Sequence, residues 1–325
     1  MSLYHWFAGG LVMASAPLIA QSQQLEFEAT PAKAIDQHTV ADEIAIKTSR
    51  DERMTVPVSV SGEGPYRFLV DTGSERTVIS QELASRLRLQ RGRSTLLHSV
   101  LGSKNINTVH IPNLRVSRQV MSVADAPALV AADIGADGML GVDSLQSQRV
   151  LFDFKANTMS ITPAAEPVAK MDGSTIVVRA KSRNGRLIFT QAKVEGRKVT
   201  VIIDTGSQVT IGNPAMRAML AKRGLLDASM PIHISSVTGE KMEAQVAKLK
   251  ELQIGGIEIE DLAIAYADAH IFRQMGLDDR PALLLGMNAM KAFDRVSIDF
   301  AARKVRFVLP AASMIEPVRM ASRTI

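Results

Sequence analysis

The sequence contains no cysteine, which excludes disulfide bonds, thiolate catalysis and zinc sites built on cysteine. Its six histidines form no His-x-x-x-His pair of the kind that binds zinc on a helix, so no metal site is predicted. Aromatic residues make up only 4% of the chain, and its net charge of +5 is spread out rather than gathered in one run. Nucleic-acid binding is not expected, because it needs a basic surface with aromatic stacking platforms. A Gly-x-Ser-x-Gly elbow and a phosphate-binding glycine loop are also missing.

Long apolar runs are scarce, and the one that stands out lies at the N-terminus. Residues 6–20, WFAGGLVMASAPLIA, are apolar and uncharged, with the length of a signal-peptide core and less than a comfortable membrane span. We expect cleavage after Ala20 and export, most simply to a bacterial periplasm. The alternatives are an uncleaved anchor in the inner membrane and a plain apolar N-terminus.

The remainder of the chain repeats itself. Its 325 residues predict two domains at roughly 100–200 residues per domain. An apolar strand runs into Asp-Thr-Gly-Ser at 71–74 and again at 204–207, and similar elements follow both copies in the same order. A helix-like segment follows each motif, at 81–89 and 214–225, and Gly62 to Pro65 is predicted to be a turn.

The repeat predicts the organisation of the whole chain. The predicted segments are a signal peptide or anchor (1–20), a linker (21–50), a first lobe (51–165), a second lobe (172–310) and a tail (311–325).

The repeated Asp-Thr-Gly-Ser motif carries the chemistry. A single copy could be an Asx-turn that closes a strand, but two copies at equivalent places in a duplicated unit indicate a shared site. Two carboxylates held about 3 Å apart cannot both ionise, so they share one proton and can act as base and acid on a peptide bond. Glycine permits a tight turn and close approach, and the hydroxyls of threonine and serine can orient the pair. This chemistry requires no cofactor.

Each half resembles a retropepsin-type aspartic peptidase domain, the fold of retroviral proteases and their bacterial relatives. The resemblance covers residues 52–163 and 174–310. It implies an all-β protein with two β-barrel lobes and a cleft between them. It further implies that Asp71 and Asp204 are catalytic, that Thr72 interlocks with Thr205, and that Gly73, Ser74, Gly206 and Ser207 support the active-site loops. The expected flap tips are Gly102 and Gly239, which would bind substrate. The segments Leu140-Gly141 and Leu285-Gly286 are expected beside the active-site loops.

The two halves also differ from pepsin-like enzymes and from each other. Pepsin-like enzymes have one flap that carries a tyrosine, whereas both halves here have a hairpin-like segment without tyrosine at its tip. This favours a fused retropepsin pair. Glu75-Arg76 follows the first motif and Gln208-Val209 the second, so the two lobes need not contribute equally to substrate binding.

The sequence therefore predicts an aspartic endopeptidase that takes an extended peptide into its cleft, as a monomeric pseudo-dimer. A catalytically silent peptide-binding module and an enzyme active only as a dimer between chains remain open. We also expect the hydroxyls of Ser74 and Ser207 to hydrogen-bond to the ionised dyad, lowering its apparent pKa and giving an acidic optimum.

Overall fold

A computed structural model gives the fold. It describes residues 33–36, 54–168, 171, 173–183, 185–226 and 228–310, with backbone alone for 33–36. The predicted signal peptide or anchor and the predicted tail lie outside the described residues. Within the predicted linker, β1 (Lys33–Asp36) pairs in parallel with residues 257–260. Among the described residues, no helix is long and apolar enough to cross a membrane.

The first lobe is mainly strand. Its strands are β2 (Val56–Val60), β3 (Glu63–Val70), β4 (Val78–Ser80), β5 (Gln90–Arg91), β6 (Thr95–His98), β7 (Ser103–Ile106), β8 (Thr108–Val116), β9 (Gln119–Leu129), β10 (Gly138–Leu140), β11 (Gln148–Asp153) and β12 (Thr158–Pro163). Its helices are α1 (Gln81–Arg86), α2 (Ala131–Ile134) and α3 (Val142–Leu145). Strands β2, β3, β10, β4, β9 and β8 pair in that order, and β2 also pairs with β8, which closes a six-stranded barrel.

The second lobe repeats this arrangement. Its strands are β13 (Thr175–Arg179), β14 (Lys181–Arg183), β15 (Arg186–Val194), β16 (Arg197–Ile203), β17 (Thr210–Gly212), β18 (Met230–Ser235), β19 (Lys241–Ile254), β20 (Ile257–Tyr266), β21 (Ala282–Leu285), β22 (Arg295–Asp299) and β23 (Lys304–Val308). Its helices are α4 (Pro214–Ala221), α5 (His270–Gln274) and α6 (Met287–Met290). Strands β20, β17, β21, β16, β15 and β19 pair in order, and β19 also pairs with β20. The fold class predicted from the sequence, two β-barrel lobes of an all-β protein, is confirmed.

The mixed pairing around each motif is the same in both lobes. Strand β10 runs parallel to β3 and antiparallel to β4, and β21 has the same relations to β16 and β17. Apolar residues fill these strands because both of their faces are covered, and all three residues of β10 are buried. The strand that leads into each motif is thus held on one side by the apolar strand that ends at Leu140 or Leu285.

A third sheet joins the lobes. Strands β12 and β11 of the first lobe continue into β22, β23 and β13 of the second. In the antiparallel pair β11–β22, Arg149 lies opposite Asp299 and Asp153 opposite Arg295. Their side chains form two ion pairs, of 3.1 Å and 2.7 Å. The same arginine and aspartate, four residues apart on each strand, therefore pair reciprocally across the boundary between the lobes.

Local details differ from the sequence predictions at three places. The turn predicted at Gly62 to Pro65 is instead formed by Ser61 and Gly62, both at positive φ as a two-residue hairpin requires, so β3 already begins at Glu63. Helices α1 and α4 end at Arg86 and Ala221, before the predicted ends at 89 and 225. Left-handed residues follow both helices, at Arg88 and Gly224, and these cannot continue a right-handed helix.

Candidate active site

The two motif aspartates come from equivalent loops. Asp71 follows β3 and Asp204 follows β16, and the backbone N–H of each donates to a carbonyl at the end of the neighbouring strand, Leu140 or Leu285. One oxygen of each carboxylate accepts two backbone N–H groups of its own loop. Asp71 Oδ1 accepts from Gly73 at 2.8 Å and Ser74 at 3.1 Å, and Asp204 Oδ1 from residues 206 and 207 at 3.0 and 3.2 Å. Each loop therefore fixes one carboxylate oxygen.

The threonines of the two motifs interlock across the lobes. Thr72 Oγ1 donates to the carbonyl of Ile203 at 2.8 Å and accepts from the N–H of Thr205 at 3.1 Å. Thr205 Oγ1 makes the reciprocal bonds, to the carbonyl of Val70 at 2.8 Å and from the N–H of Thr72 at 3.1 Å. Both threonines are almost fully buried. The four bonds tie the ends of β3 and β16 together and so set the separation of the two aspartates.

The motif glycines are required by close approach between the loops. A Cβ on Gly73 would lie 2.6 Å from Asp204 Oδ1, and a Cβ on Gly206 would overlap the carboxylate of Asp71. Each glycine thus makes room for the aspartate of the opposite lobe. As a result, the carboxyls of Asp71 and Asp204 lie close enough to hydrogen-bond to each other.

Burial favours the protonated form of both carboxyls. Burial, and then the charge of Asp71, raise the pKa of Asp204 to about 7. Burial also raises the pKa of Asp71, but the N–H of Gly73, the hydrogen bond from Asp204 and the charge of Arg186 act in the opposite direction. Asp204 therefore binds a proton more readily than Asp71, and the two carboxyls titrate as a coupled pair. Such a pair is suited to share one proton as an acid and a base.

The motif serines do not act as the sequence predicted. Ser74 Oγ donates to the carbonyl of Arg76 at 2.8 Å, and Ser207 Oγ donates to the carbonyl of Val209 at 2.7 Å. Each serine hydroxyl thus donates its proton within its own turn. The backbone N–H of each serine, and not its hydroxyl, donates to the motif aspartate. The prediction that these hydroxyls stabilise the ionised dyad is wrong, since a serine side chain readily bonds to a carbonyl two residues on.

A second pair of threonines, missed in the sequence, supports the loops. Thr77 and Thr210 each follow a motif aspartate by the same interval, 77 − 71 = 6 and 210 − 204 = 6. Thr77 Oγ1 accepts from the N–H of Gly141 and donates to Asp143 Oδ1 at 2.7 Å. Thr210 Oγ1 accepts from residue 286 and donates to Asn288 Oδ1 at 2.8 Å. Their equal spacing was the signal that could have identified them.

Arg186 is a further residue that sequence reasoning missed. This buried arginine at the start of β15 reaches the first lobe, where Nε donates to the carbonyl of Gly73 at 2.7 Å and Nη1 to Glu75 Oε1 at 2.5 Å. Its side chain is 5% exposed and that of Glu75 is 45% exposed. The difference between Glu75 and Gln208, visible in the sequence, thus has a structural counterpart. Glu75 is paired with an arginine of the opposite lobe.

The predicted flap tips lie in two hairpins over the cleft. Gly102 closes the β6–β7 hairpin, where the N–H of Ser99 donates to its carbonyl at 2.7 Å. Gly239, at positive φ, lies in the turn between β18 and β19. Each tip reaches the opposite lobe: Val100 packs on an apolar cluster of the second lobe, and Val237 on one of the first. The hairpins thereby cover a cleft of about 1280 Å³ that contains both aspartates.

Apolar side chains of both lobes line the cleft. Val78, Leu97, Ile134 and Met139 line it from the first lobe, and Ile202, Ile211, Ile234, Ile271 and Leu284 from the second. In the part of the chain that the structure describes, no group of three or more histidine, aspartate or glutamate side chains could hold a metal ion.

Comparison with known families agrees with this geometry. Residues 56–147 match the family model of the gag-polyprotein aspartyl protease, and residues 190–289 match that of the aspartyl protease. The chain belongs to the retropepsin-like aspartyl proteases and carries two such domains in tandem. No curated protein matches it.

Proposed function

We propose that the protein is an aspartic endopeptidase that hydrolyses peptide bonds with a water molecule activated between Asp71 and Asp204. The observation that carries this proposal is the pair of buried carboxyls, each fixed by the backbone of its own loop and brought together by the threonine interlock, with the pKa of both raised. A catalytically silent peptide-binding module would need the cleft and the flaps. It would not need two buried carboxyls whose pKa values are raised at a cost to stability.

The difference between the two carboxyls supports a separate role for each in this mechanism. Asp71, which carries the negative charge, takes a proton from the water molecule. The oxygen of that water attacks the carbonyl carbon of the scissile bond. Asp204 gives its proton to the carbonyl oxygen, which leaves a neutral gem-diol intermediate. The intermediate then collapses as Asp71 gives its proton to the amide nitrogen, Asp204 takes a proton from a hydroxyl of the gem-diol and the C–N bond breaks. The products are a carboxylic acid and an amine, and both carboxyls return to their starting states.

The pH dependence follows from the same assignment. Because Asp204 must be protonated, activity should fall as the pH rises above about 7, the pKa of Asp204. Activity should also fall at low pH as Asp71 binds a proton, so the working range is acidic to neutral.

The substrate is an extended peptide chain held between the flaps and the dyad. Its backbone pairs with the flap strands, and an apolar side chain on each side of the scissile bond contacts the apolar lining of the cleft. We further propose that the protein is exported and acts as a single chain. Mass spectrometry of the native protein should then find an N-terminus near Gln21. An intact Met1 in the soluble cytoplasmic fraction would contradict export, and an intact Met1 in membranes would indicate the anchor.

The test is hydrolysis of an unstructured protein such as casein by the purified chain. Asp71→Asn and Asp204→Asn should each abolish cleavage with the fold retained, and Asp279→Asn, at an exposed site beside Arg280, should leave it unchanged. Mixing the two inactive variants should not restore activity, since both aspartates belong to one chain. Rescue on mixing would show a site formed between chains, and peptide binding by the wild type without any product would show a binding module.

A further inference from the structure

The first flap is attached to the second lobe by a pair of histidines. His98 ends β6, next to the flap tip, and His270 begins α5. His98 Nδ1 and His270 Nε2 are 2.9 Å apart, and the two rings stack with centroids 5.2 Å apart and an interplanar angle of 11°. Beside the two rings, the backbone N–H of His270 donates to the backbone carbonyl of Val100 at 2.7 Å. The tip of the first flap thus has both a polar and an apolar attachment to the opposite lobe.

Among the described residues, the second flap has no histidine pair of this kind. The equivalent of His98 is Ser235, since Ser236 matches Ser99 in the two flap sequences. The histidine of that flap, His233, lies 4.0 Å from Glu243 on the neighbouring strand of its own hairpin. The histidine contact therefore belongs to one flap and cannot be a consequence of the duplicated fold.

A hydrogen bond between two imidazoles depends on their protonation. One ring nitrogen must donate and the other must accept, so the bond exists when both rings are neutral and when one of them is charged. When both rings are charged, neither facing nitrogen has a lone pair, and the two positive charges repel each other. The second proton therefore breaks the contact that the first proton leaves intact.

The charged groups around the pair make double protonation unfavourable in the closed arrangement. Burial, the neighbouring His98 and the charge of Arg273 lower the pKa of His270. Arg273, on α5, is itself paired with Asp268. On the flaps, the charge of Lys104 on β7 acts on Glu240. The carboxylate of Glu240 is engaged by Ser236, Thr238 and Ser99.

We propose that His98 and His270 position the first flap over the dyad as a pH-dependent latch, which is closed while at most one ring is protonated and released when both are. This inference rests on the proposed function. When the flap opens, His270 enters solvent, where its pKa returns toward the ordinary value of about 6.5. The open state then binds the second proton more tightly than the closed state, so falling pH favours opening. At acid pH the released flap would let substrate into the cleft. This would occur over the pH range in which the dyad still holds a single proton.

The absence of cysteine permits a direct measurement of flap position. Cysteines introduced as Gly102→Cys, where a side chain meets no neighbour, and Ala218→Cys, on the exposed face of α4, would be the only thiols in the chain. With a spin label on each, pulsed electron resonance gives the distance from flap tip to second lobe at about pH 7.5 and about pH 5, on either side of the ordinary histidine pKa. We expect a longer-distance population that grows several-fold at the lower pH and disappears when the pH is restored.

Three variants make the measurement decisive. His270→Gln retains an amide that can hydrogen-bond but prevents double protonation, so its distances should be the same at both pH values. His233→Gln, on the other flap, should respond as the wild type does. Asp204→Asn should also keep the response, which separates the latch from titration of the dyad. An unchanged wild-type distance, or a response that survives in His270→Gln, would overturn the latch.

The distances do not depend on turnover, so the latch and the peptidase can fail separately. If the protein cleaves peptides but the distances do not change with pH, the latch is wrong and the proposed function stands. If the distances change with pH but no peptide is cleaved, the latch stands and the proposed function is wrong. In an active enzyme, His270→Gln should alter the acid side of the pH profile through KM and leave the pH profile of kcat in place, since a flap position affects substrate entry.

Discussion

The threonine interlock allows a prediction whose size follows from the hydrogen bonds at Thr72. Thr72→Val keeps the shape of the side chain but removes the hydroxyl, which leaves the carbonyl of Ile203 and the N–H of Thr205 buried without partners. Each such group costs about 1–3 kcal/mol, so the free energy of unfolding should fall by about 2–6 kcal/mol. Thr72→Ser keeps both bonds and loses one methyl group, so it should cost only about 1 kcal/mol.

Urea unfolding followed by circular dichroism measures both variants on the same scale. Activity provides a second readout, because an error of about 1 Å in the position of a catalytic group can reduce the rate about 100-fold. We therefore expect a large loss of kcat in Thr72→Val and a small one in Thr72→Ser. Equal unfolding free energies for the two variants would refute the reasoning, since it assigns the stabilisation to the hydroxyl rather than to packing.

Three further predictions concern the loops around the dyad. Gly206→Ala should abolish activity in a folded protein, because the added Cβ would displace the carboxylate of Asp71. The control Gly256→Ala, where a Cβ has no neighbour within 4 Å, should be tolerated. Equal activity of the two variants in a peptide assay would contradict this prediction. Arg186→Gln removes a charge that opposes the raised pKa of Asp71, so the acid limb of the kcat/KM profile should move toward neutral pH, while Arg186→Lys should retain much of the original profile. Ser74→Ala should lower the unfolding free energy by about 1 kcal/mol through loss of its turn bond and leave the pH profile in place, and a shifted profile would restore a direct role for the hydroxyl.

Repetition made much of the site predictable. The motifs at 71–74 and 204–207 combine residue types whose chemistry is local, and their equivalent places in two copies predict that they meet. The structure brings both aspartates, both threonines and both glycines together at one point. The barrel strands follow from alternation, as in β2, where Val56, Val58 and Val60 are buried and the residues between them are not.

What could not be predicted depends on contacts between distant segments. Arg186 lies outside the repeated motifs, and the packing of β15 beside the first loop brings it to Glu75, 111 residues away. The contact of His98 with His270 spans 172 residues for the same reason. The direction of the Ser74 hydroxyl is a rotamer choice between two nearby acceptors, and the residue type alone does not decide it.

The reciprocal ion pairs of the joining sheet have a consequence for assembly. Since β11 and β22 carry the same Arg-x-x-x-Asp pattern, either strand is complementary to itself as well as to the other, as in the interface of a two-fold dimer. These pairs consequently do not discriminate between the second lobe of the same chain and that of another chain.

The connection between Pro163 and Thr175 favours the second lobe of the same chain over that of another chain. Arg149 donates to Asp299 and also to the carbonyls of Ala164 and Glu166 in this connection. A short tether of this kind raises the effective concentration of the attached lobe far above that of any free chain. Lengthening the tether or releasing it from Arg149 would therefore favour lobe-exchanged assemblies, in which the contacts between the lobes are the same.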